Sequence, residues 1–359
     1  MLDISNSPFY VGVLGAVAGL PVLLFSFFGG YLSDRFNRFS VLFFAHSLIF
    51  LQGAFLTTVI AIGHIDLLTL IGTSFFLGTG MAFEVPARQG LVFDLVGREN
   101  ITNALALHST AFNLARFIGP AIAGYLMAIG WLAACFAIKA LTALLVMGAL
   151  IIILKKGYAR PKGHSPSKRP GMKMGISFVR SHRVVRSVLL VIFVFGIVLL
   201  PYSVLLPSLG RDVLGLGAKE YGLLCSSNGF GALTGAIFVA ILGHRGKRID
   251  WWWIGALAFP FALGCVGMAS GYLQAAIGLY ISGFFMVICA TSAISLIQIH
   301  APDELRGQLM GLFTTSFMGF FPLGSLAIGG LAALIGVQAT LILQGGTGLV
   351  FVLLMKWFS

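Results

Sequence analysis

Eleven apolar runs, each about as long as a bilayer is thick, alternate with short polar joints along the chain. They fall at roughly 9–32, 40–62, 66–86, 103–128, 131–154, 187–209, 219–242, 251–270, 272–298, 309–333 and 336–357. About twenty helical residues cross a hydrocarbon core of ~30 Å. A chain inside that core must satisfy its own backbone hydrogen bonds, so an open sheet is excluded. Runs this long and unbroken also lack the alternation of barrel strands. The expected class is an all-α membrane protein. Composition supports this where it discriminates: 9% of the 359 residues are charged, against about a quarter in soluble domains.

The formal net charge is +12, which in a soluble chain would point to nucleic acid. Here Lys and Arg gather in alternate joints: Arg35 and Arg38, Arg88 and Arg98, the stretch from Lys155 to Arg186, Arg245, Lys247 and Arg248, then Arg306 and Lys356. That is the positive-inside pattern. It predicts a multi-pass protein with those joints and the C-terminus cytoplasmic, and no nucleic-acid partner. The four cysteines lie within apolar segments at no ligand spacing, so neither a metal site nor a disulfide frame is expected. The first charged residue is Asp3 and no basic stretch precedes the first run, so no cleavable signal peptide is expected. A phosphate-binding G-x-x-x-x-G-K-[ST] loop, paired carboxylates and a nucleophile elbow are all missing from the sequence. An enzyme, a bound cofactor and nucleotide hydrolysis are therefore not expected.

The stretch Lys155 to Pro170 is basic and rich in Pro and Gly, a linker composition. Met172 to Arg186 follows as an amphipathic piece suited to the membrane surface. The expected organisation is an N-terminal transmembrane half at 1–154, a cytoplasmic linker at 155–186 and a C-terminal half at 187–359. The halves repeat. Tyr10-Val11-Gly12 through Arg38 parallels Glu220-Tyr221-Gly222 through Arg248, and Arg98-Glu99-Asn100 through Gly119 and Gly124 parallels Asp303-Glu304-Leu305 through Gly324 and Gly329. Two repeated bundles are what a rocking transporter requires.

Gly30-Tyr31-Leu32-Ser33-Asp34-Arg35-Phe36-Asn37-Arg38 resembles motif A of the major facilitator superfamily, G-x-L-x-D-R-x-G-R. Asn37 stands where the motif has Gly, a replacement that suits Asn because it tolerates left-handed backbone angles. Phe83-Glu84-Val85-Pro86-Ala87-Arg88-Gln89, Asn113 through Gly124, Arg211-Asp212-Val213-Leu214-Gly215 and Pro302-Asp303-Glu304-Leu305-Arg306-Gly307 narrow the resemblance to the efflux subfamily that contains the enterobactin exporter. The resemblance implies the major facilitator fold, with about eleven helices visible of the usual twelve. Motif A follows the first helix here and the second in the family, so the first family helix is expected to be missing.

Further implications of the resemblance concern residues. Gly30, Asp34, Arg35, Arg38, Glu84 and Arg88 form a gating set at the basic surface, in which Asp34 meets the N-terminus of the family's eleventh helix and Arg35 and Arg38 pair with Glu84. Gly119-Pro120 with Gly124 resembles motif C of exporters, either a functional bend or a plain packing kink. The residues alone add that Asn113, Arg116 and Pro120 share a helix face with Ser109, and that His108 lies beside it. Arg at mid-bilayer is costly, at roughly 2.5–3.5 kcal/mol. Arg116 therefore either lines a cavity for an anionic or catecholate-like substrate or holds a structural network. Lys139 is expected to snorkel to the interface, and His46 to be hydrogen-bonded within the membrane. No Asp or Glu stands at mid-membrane, so no coupling residue is assigned. The expected function is proton-coupled export of a siderophore or drug-like molecule across the bacterial inner membrane by a monomer, with lipid and small-molecule partners; the alternative is a non-transporting remnant or regulatory protein.

Overall fold

A computed structural model of the chain describes residues 7–157, 172–242, 248–302 and 305–358. Among them no strand occurs. The helices are α1 (Pro8–Arg35), α2 (Arg38–Ala61), α3 (Leu67–Ala128), α4 (Leu132–Lys155) and the short α5 (Met172–Ser181). They continue with α6 (Arg183–Val213), α7 (Ala218–Leu242), α8 (Arg248–Gly267), α9 (Tyr272–His300), α10 (Arg306–Ile335) and α11 (Val337–Trp357). Ten stretches among the described residues are long and apolar enough to cross a membrane. The eleventh apolar run, 103–128, is the second arm of α3.

The turn between α1 and α2 works differently from the motif's Gly. Asn37 has φ −62° and ψ 120°, and its side chain accepts the amide of Phe39 at 2.9 Å. It is the N-cap of α2, so its short polar side chain matters there and left-handed angles do not arise.

α3 also departs from the hydropathy pattern. The apolar run stops near 86, yet the helix continues for three further turns. Only Gly97, with φ 71° and ψ 178°, leaves helical geometry. A Cβ at Gly97 would meet open space, so the backbone angle alone requires glycine. The arm Leu67–Gly97 has 31 residues, or about 46 Å of helix, which exceeds the ~30 Å core. Its last turns therefore stand outside the hydrocarbon and can carry charge. Pro120 in the second arm keeps helical angles.

The chain divides into two compact units. One comprises Met1–Asn6, Val13–Ser109 and Tyr125–Ser165; the other Ser7–Gly12, Thr110–Gly124 and Pro166–Ser359. In the first, Phe39, Val41 and Leu42 of α2 pack with Ala87 and Leu91 of α3 and Leu150 of α4. In the second, a continuous core includes Val188, Phe195, Trp252, Phe259, Leu279 and Leu341. Large apolar side chains outside these cores are exposed, Leu145 at 64% and Leu334 at 84%. In a bilayer these are lipid contacts.

Two irregular stretches meet inside the second unit. The π turn Phe195–Leu199 in α6 lies against the π turn Thr315–Gly319 in α10, and a Cβ on Gly196 would overlap the carbonyl of Ser316. Pro201 has no N–H, so the Ile197 carbonyl loses its helical donor. Gly324 sits directly on that carbonyl, where a side chain would clash. Gln344 of α11 donates through Nε2 to the Val198 carbonyl at 2.5 Å. α6 is thus held open by neighbours that fit its freed carbonyls.

Lys139 does not snorkel. Its Nζ donates to Oε1 of Gln52 at 2.6 Å, and Gln52 is buried between α2 and α4. Gln52→Leu is expected to lower the thermal unfolding midpoint in detergent, through loss of a charge-assisted bond contributing about 1.5–3 kcal/mol. Adding Lys139→Met should restore most of it. An unchanged midpoint in Gln52→Leu would show that the ammonium relies on solvent.

Candidate functional site

The first unit holds a charged cluster where α2 begins and the long arm of α3 emerges. Arg38 Nη1 lies 2.5 Å from Asp94 Oδ2 and donates to the Gly90 carbonyl at 2.8 Å. Its guanidinium lies flat over Gly90, where a Cβ would sit 2.7 Å from Nε and 2.8 Å from Cζ. Four residues separate Gly90 from Asp94, one turn of α3, so a single face presents a carbonyl and a carboxylate to one guanidinium.

Arg38 therefore pairs with Asp94 and not with Glu84, while the implied pair of Arg35 with Glu84 lies outside the described residues. Arg88 Nε lies 2.5 Å from Glu84 Oε1, an i,i+4 pair on α3, and Arg88 Nη1 reaches His108 Nε2 at 2.7 Å. Since Arg can only donate, the imidazole serves as the acceptor in this contact. His108 thus joins the Arg88 chain. The side chains of Gly30, Asp34 and Arg35 lie outside the described residues, and so does the proposed contact of Asp34. His46 Nδ1 is buried with no hydrogen-bond partner among the described residues.

The second unit brings the 110–124 segment of α3 against α7. Ala218, Gly222, Ser226 and Gly229 recur at helical spacing along one face of α7. Backbones touch there: a Cβ on Gly222 would lie 2.4 Å from the Pro120 carbonyl, and one on Gly124 would lie 2.6 Å from the Ala218 carbonyl. Gly229 faces the Arg116 carbonyl in the same way. Gly119 is different, since a Cβ there meets nothing within 4 Å. Of the motif C glycines, Gly124 is the packing position and Gly119 is not.

The same contact occurs a second time within this unit. A Cβ on Gly12 would lie 2.5 Å from the Ser325 carbonyl, and one on Gly329 would lie 3.2 Å from the Pro8 carbonyl. Pro8 and Gly12 correspond to Ala218 and Gly222 in the sequence repeat, and Ser325 and Gly329 correspond to Pro120 and Gly124. Each glycine, and each carbonyl it covers, has its counterpart. The internal repeat is therefore present as matched helix contacts.

Arg116 points into this polar region. Its Nη2 donates to Oδ1 of Asn228 at 3.3 Å, and Asn228 Nδ2 donates to the Leu279 carbonyl at 3.0 Å. Asn113 is buried one turn before Arg116. The Tyr202 phenol lies buried near Arg116, Asn228 and Ser282. An arginine, a carboxamide, a phenol and a hydroxyl thus gather from α3, α6, α7 and α9. The arrangement can hydrogen-bond an anionic or phenolic solute, with the cation supplying the charge. Tyr202 and Ser282 escaped sequence reading because each stands alone in an apolar run.

No group of three or more metal-ligating side chains occurs among the described residues. The family model described as transmembrane secretion effector matches residues 1–359. The chain is 23% identical over 348 residues to a staphyloferrin A transporter of Staphylococcus aureus, covering 96% of this chain and 86% of that protein. It is 24% identical over 338 residues to the enterobactin exporter EntS of Shigella boydii, covering 92% and 78%. A transporter of the POT family, solved with a thioalcohol-conjugated peptide, superposes with a TM-score of 0.76 at 14% identity, covering 98% of this chain and 88% of that one. The human organic anion transporter MFSD10 does so with a TM-score of 0.68 at 17% identity, covering 96% and 83%. These two structures share the fold.

Proposed function

Because the chain belongs to the transmembrane secretion effector family of major facilitator transporters, we propose that it exports a siderophore or similar amphipathic small molecule by alternating access. It is a multi-pass membrane transporter and not an enzyme. The twice-repeated glycine contact carries the reading. Small residues let helix backbones touch without interlocking side chains, and two such contacts related by an internal repeat give a pair of surfaces on which bundles can rock. The halves in this reading are 1–154 and 187–359, joined by the basic linker 155–186.

The cluster around Arg116 and the relatives' names support a substrate class. A guanidinium with phenol, carboxamide and hydroxyl neighbours suits carboxylate or catecholate ligands. Asn113 and Arg116 belong to that cluster and Pro120 and Gly124 to the glycine contact next to it, with Gly119 outside both, whereas Arg38, Glu84 and Arg88, with Gly30, Asp34 and Arg35, make up the gate. The protein acts as a monomer in the bacterial inner membrane, with its basic joints and C-terminus cytoplasmic, and the proton gradient drives it.

The test is transport by purified protein in proteoliposomes under an imposed pH gradient. Flux of a catecholate or hydroxycarboxylate siderophore is expected, abolished by collapsing the gradient and reduced at least tenfold by Arg116→Leu. Absence of gradient-dependent flux for both siderophore classes and for amphipathic dyes would overturn the reading.

A further inference from the structure

A cavity of about 230 Å³ opens in the second unit where α7 ends, α8 begins and α9 passes behind them. Phe238 and Trp251 form an aromatic wall, their rings edge-to-face at 5.1 Å. Ser292 and Ser295 of α9 face it, three residues apart and so on one side of the helix. Arg248, in the first turn of α8, completes the lining.

The polar groups here are unspent. Ser292 is 6% exposed, and neither serine hydroxyl makes a hydrogen bond within the described residues. Helical serines usually bond back to the preceding turn, as Ser47 and Ser74 do. Arg248 has no carboxylate within ion-pair distance among the described residues. Asp250 carries the acidic charge in that first turn and does not line the cavity. One guanidinium and two hydroxyls, with no carboxylate facing them among the described residues, offer donors to an acceptor.

We propose that this cavity is a phosphate site, binding the phosphoryl group of a phospholipid headgroup or of a free phosphate. A guanidinium matches the oxygen geometry of phosphate and remains charged at any working pH. The space would hold about eight waters at ~30 Å³ each, enough for a phosphoryl group and the first carbons of its ester. Trp251 suits the headgroup level of a bilayer. Ile241, three residues beyond Phe238 at the end of α7, is 60% exposed and offers apolar surface to an acyl chain. None of these residues belongs to the glycine contacts or the Arg116 cluster, so the site stands or falls independently of the transport reading.

The test is ligand-dependent thermal unfolding of the full chain in maltoside micelles, titrated with phosphatidylglycerol, diacylglycerol or inorganic phosphate. Saturable stabilisation by phosphatidylglycerol and none by diacylglycerol is expected. Arg248→Gln should weaken the apparent affinity at least tenfold and Ser292→Ala/Ser295→Ala several-fold, with unliganded midpoints near wild type. If inorganic phosphate stabilises as strongly and with the same Arg248 dependence, the source is free phosphate; if only the lipid does, it is the headgroup. Equal responses of wild type and both variants, or no response to either phosphate source, would overturn the proposal.

Discussion

Gly222→Val is expected to abolish export while leaving the protein inserted and folded. A Cβ at 222 would fall 2.4 Å from the Pro120 carbonyl and 2.8 Å from the Gly124 Cα. Both neighbours are backbone, so neither can rotate away, and the helices must separate. Helix propensity acts in the opposite direction, since Gly is among the worst interior helix residues, by up to about 1 kcal/mol relative to Ala. A loss of function therefore reports on the contact and not on α7 itself. Gly329→Val, its counterpart against Gly12, should behave alike if both contacts are needed for rocking. Gly119→Val provides the control, because a side chain there enters open space. It should transport normally, measured as gradient-dependent siderophore flux at matched protein in the membrane. Normal flux by both Gly222→Val and Gly329→Val would remove the contacts from the mechanism.

The spans and the repeat were legible because each is periodic in composition. Hydropathy reports the membrane, however, and not the helix. It ended α3 near 86, where the chain leaves the hydrocarbon, although the backbone stays helical to the Gly97 break. That error hid Asp94, which stands on those three extra turns. The pairing of Arg38 also crosses 56 residues, and no local pattern announces a partner so far away. The motif resemblance pointed Arg38 to Glu84, which in the structure pairs with its i,i+4 neighbour Arg88. With the glycines, the repeat marked the right positions but not their facing. Gly119 and Gly124 look alike in a sequence, and only the helix phase puts one against α7 and the other in open space. Tyr202 was invisible for a further reason, because a lone Tyr in an apolar span looks like any membrane aromatic until Arg116 and Asn228 are placed beside it.

Asp94→Asn is expected to cost export about tenfold to a hundredfold, and Gly90→Ala to reproduce most of that loss without removing a charge. The pair is half-sheltered, with both side chains below 20% exposure, so it lies between a surface bridge contributing under about 1 kcal/mol and a buried one whose disruption costs 3–5 kcal/mol. A charge-assisted bond of about 1.5–3 kcal/mol corresponds to that range of equilibrium shift, since each 1.4 kcal/mol is tenfold. If the bond exists in only one transport state, its full value biases the equilibrium between states. Gly90→Ala tests geometry separately from charge. The new methyl occupies the space under the guanidinium and pushes Arg38 off both Asp94 and the Gly90 carbonyl. Asp94→Glu keeps the charge with a longer arm and should retain part of the activity. The exchange Arg38→Asp with Asp94→Arg restores opposite charges but not the flat seat on Gly90, so partial recovery is expected. Fluorescence labelling of cysteines placed near each end of α1 would show the state distribution moving in Asp94→Asn. Unchanged labelling together with full flux would reduce this bridge to an ordinary membrane-surface contact.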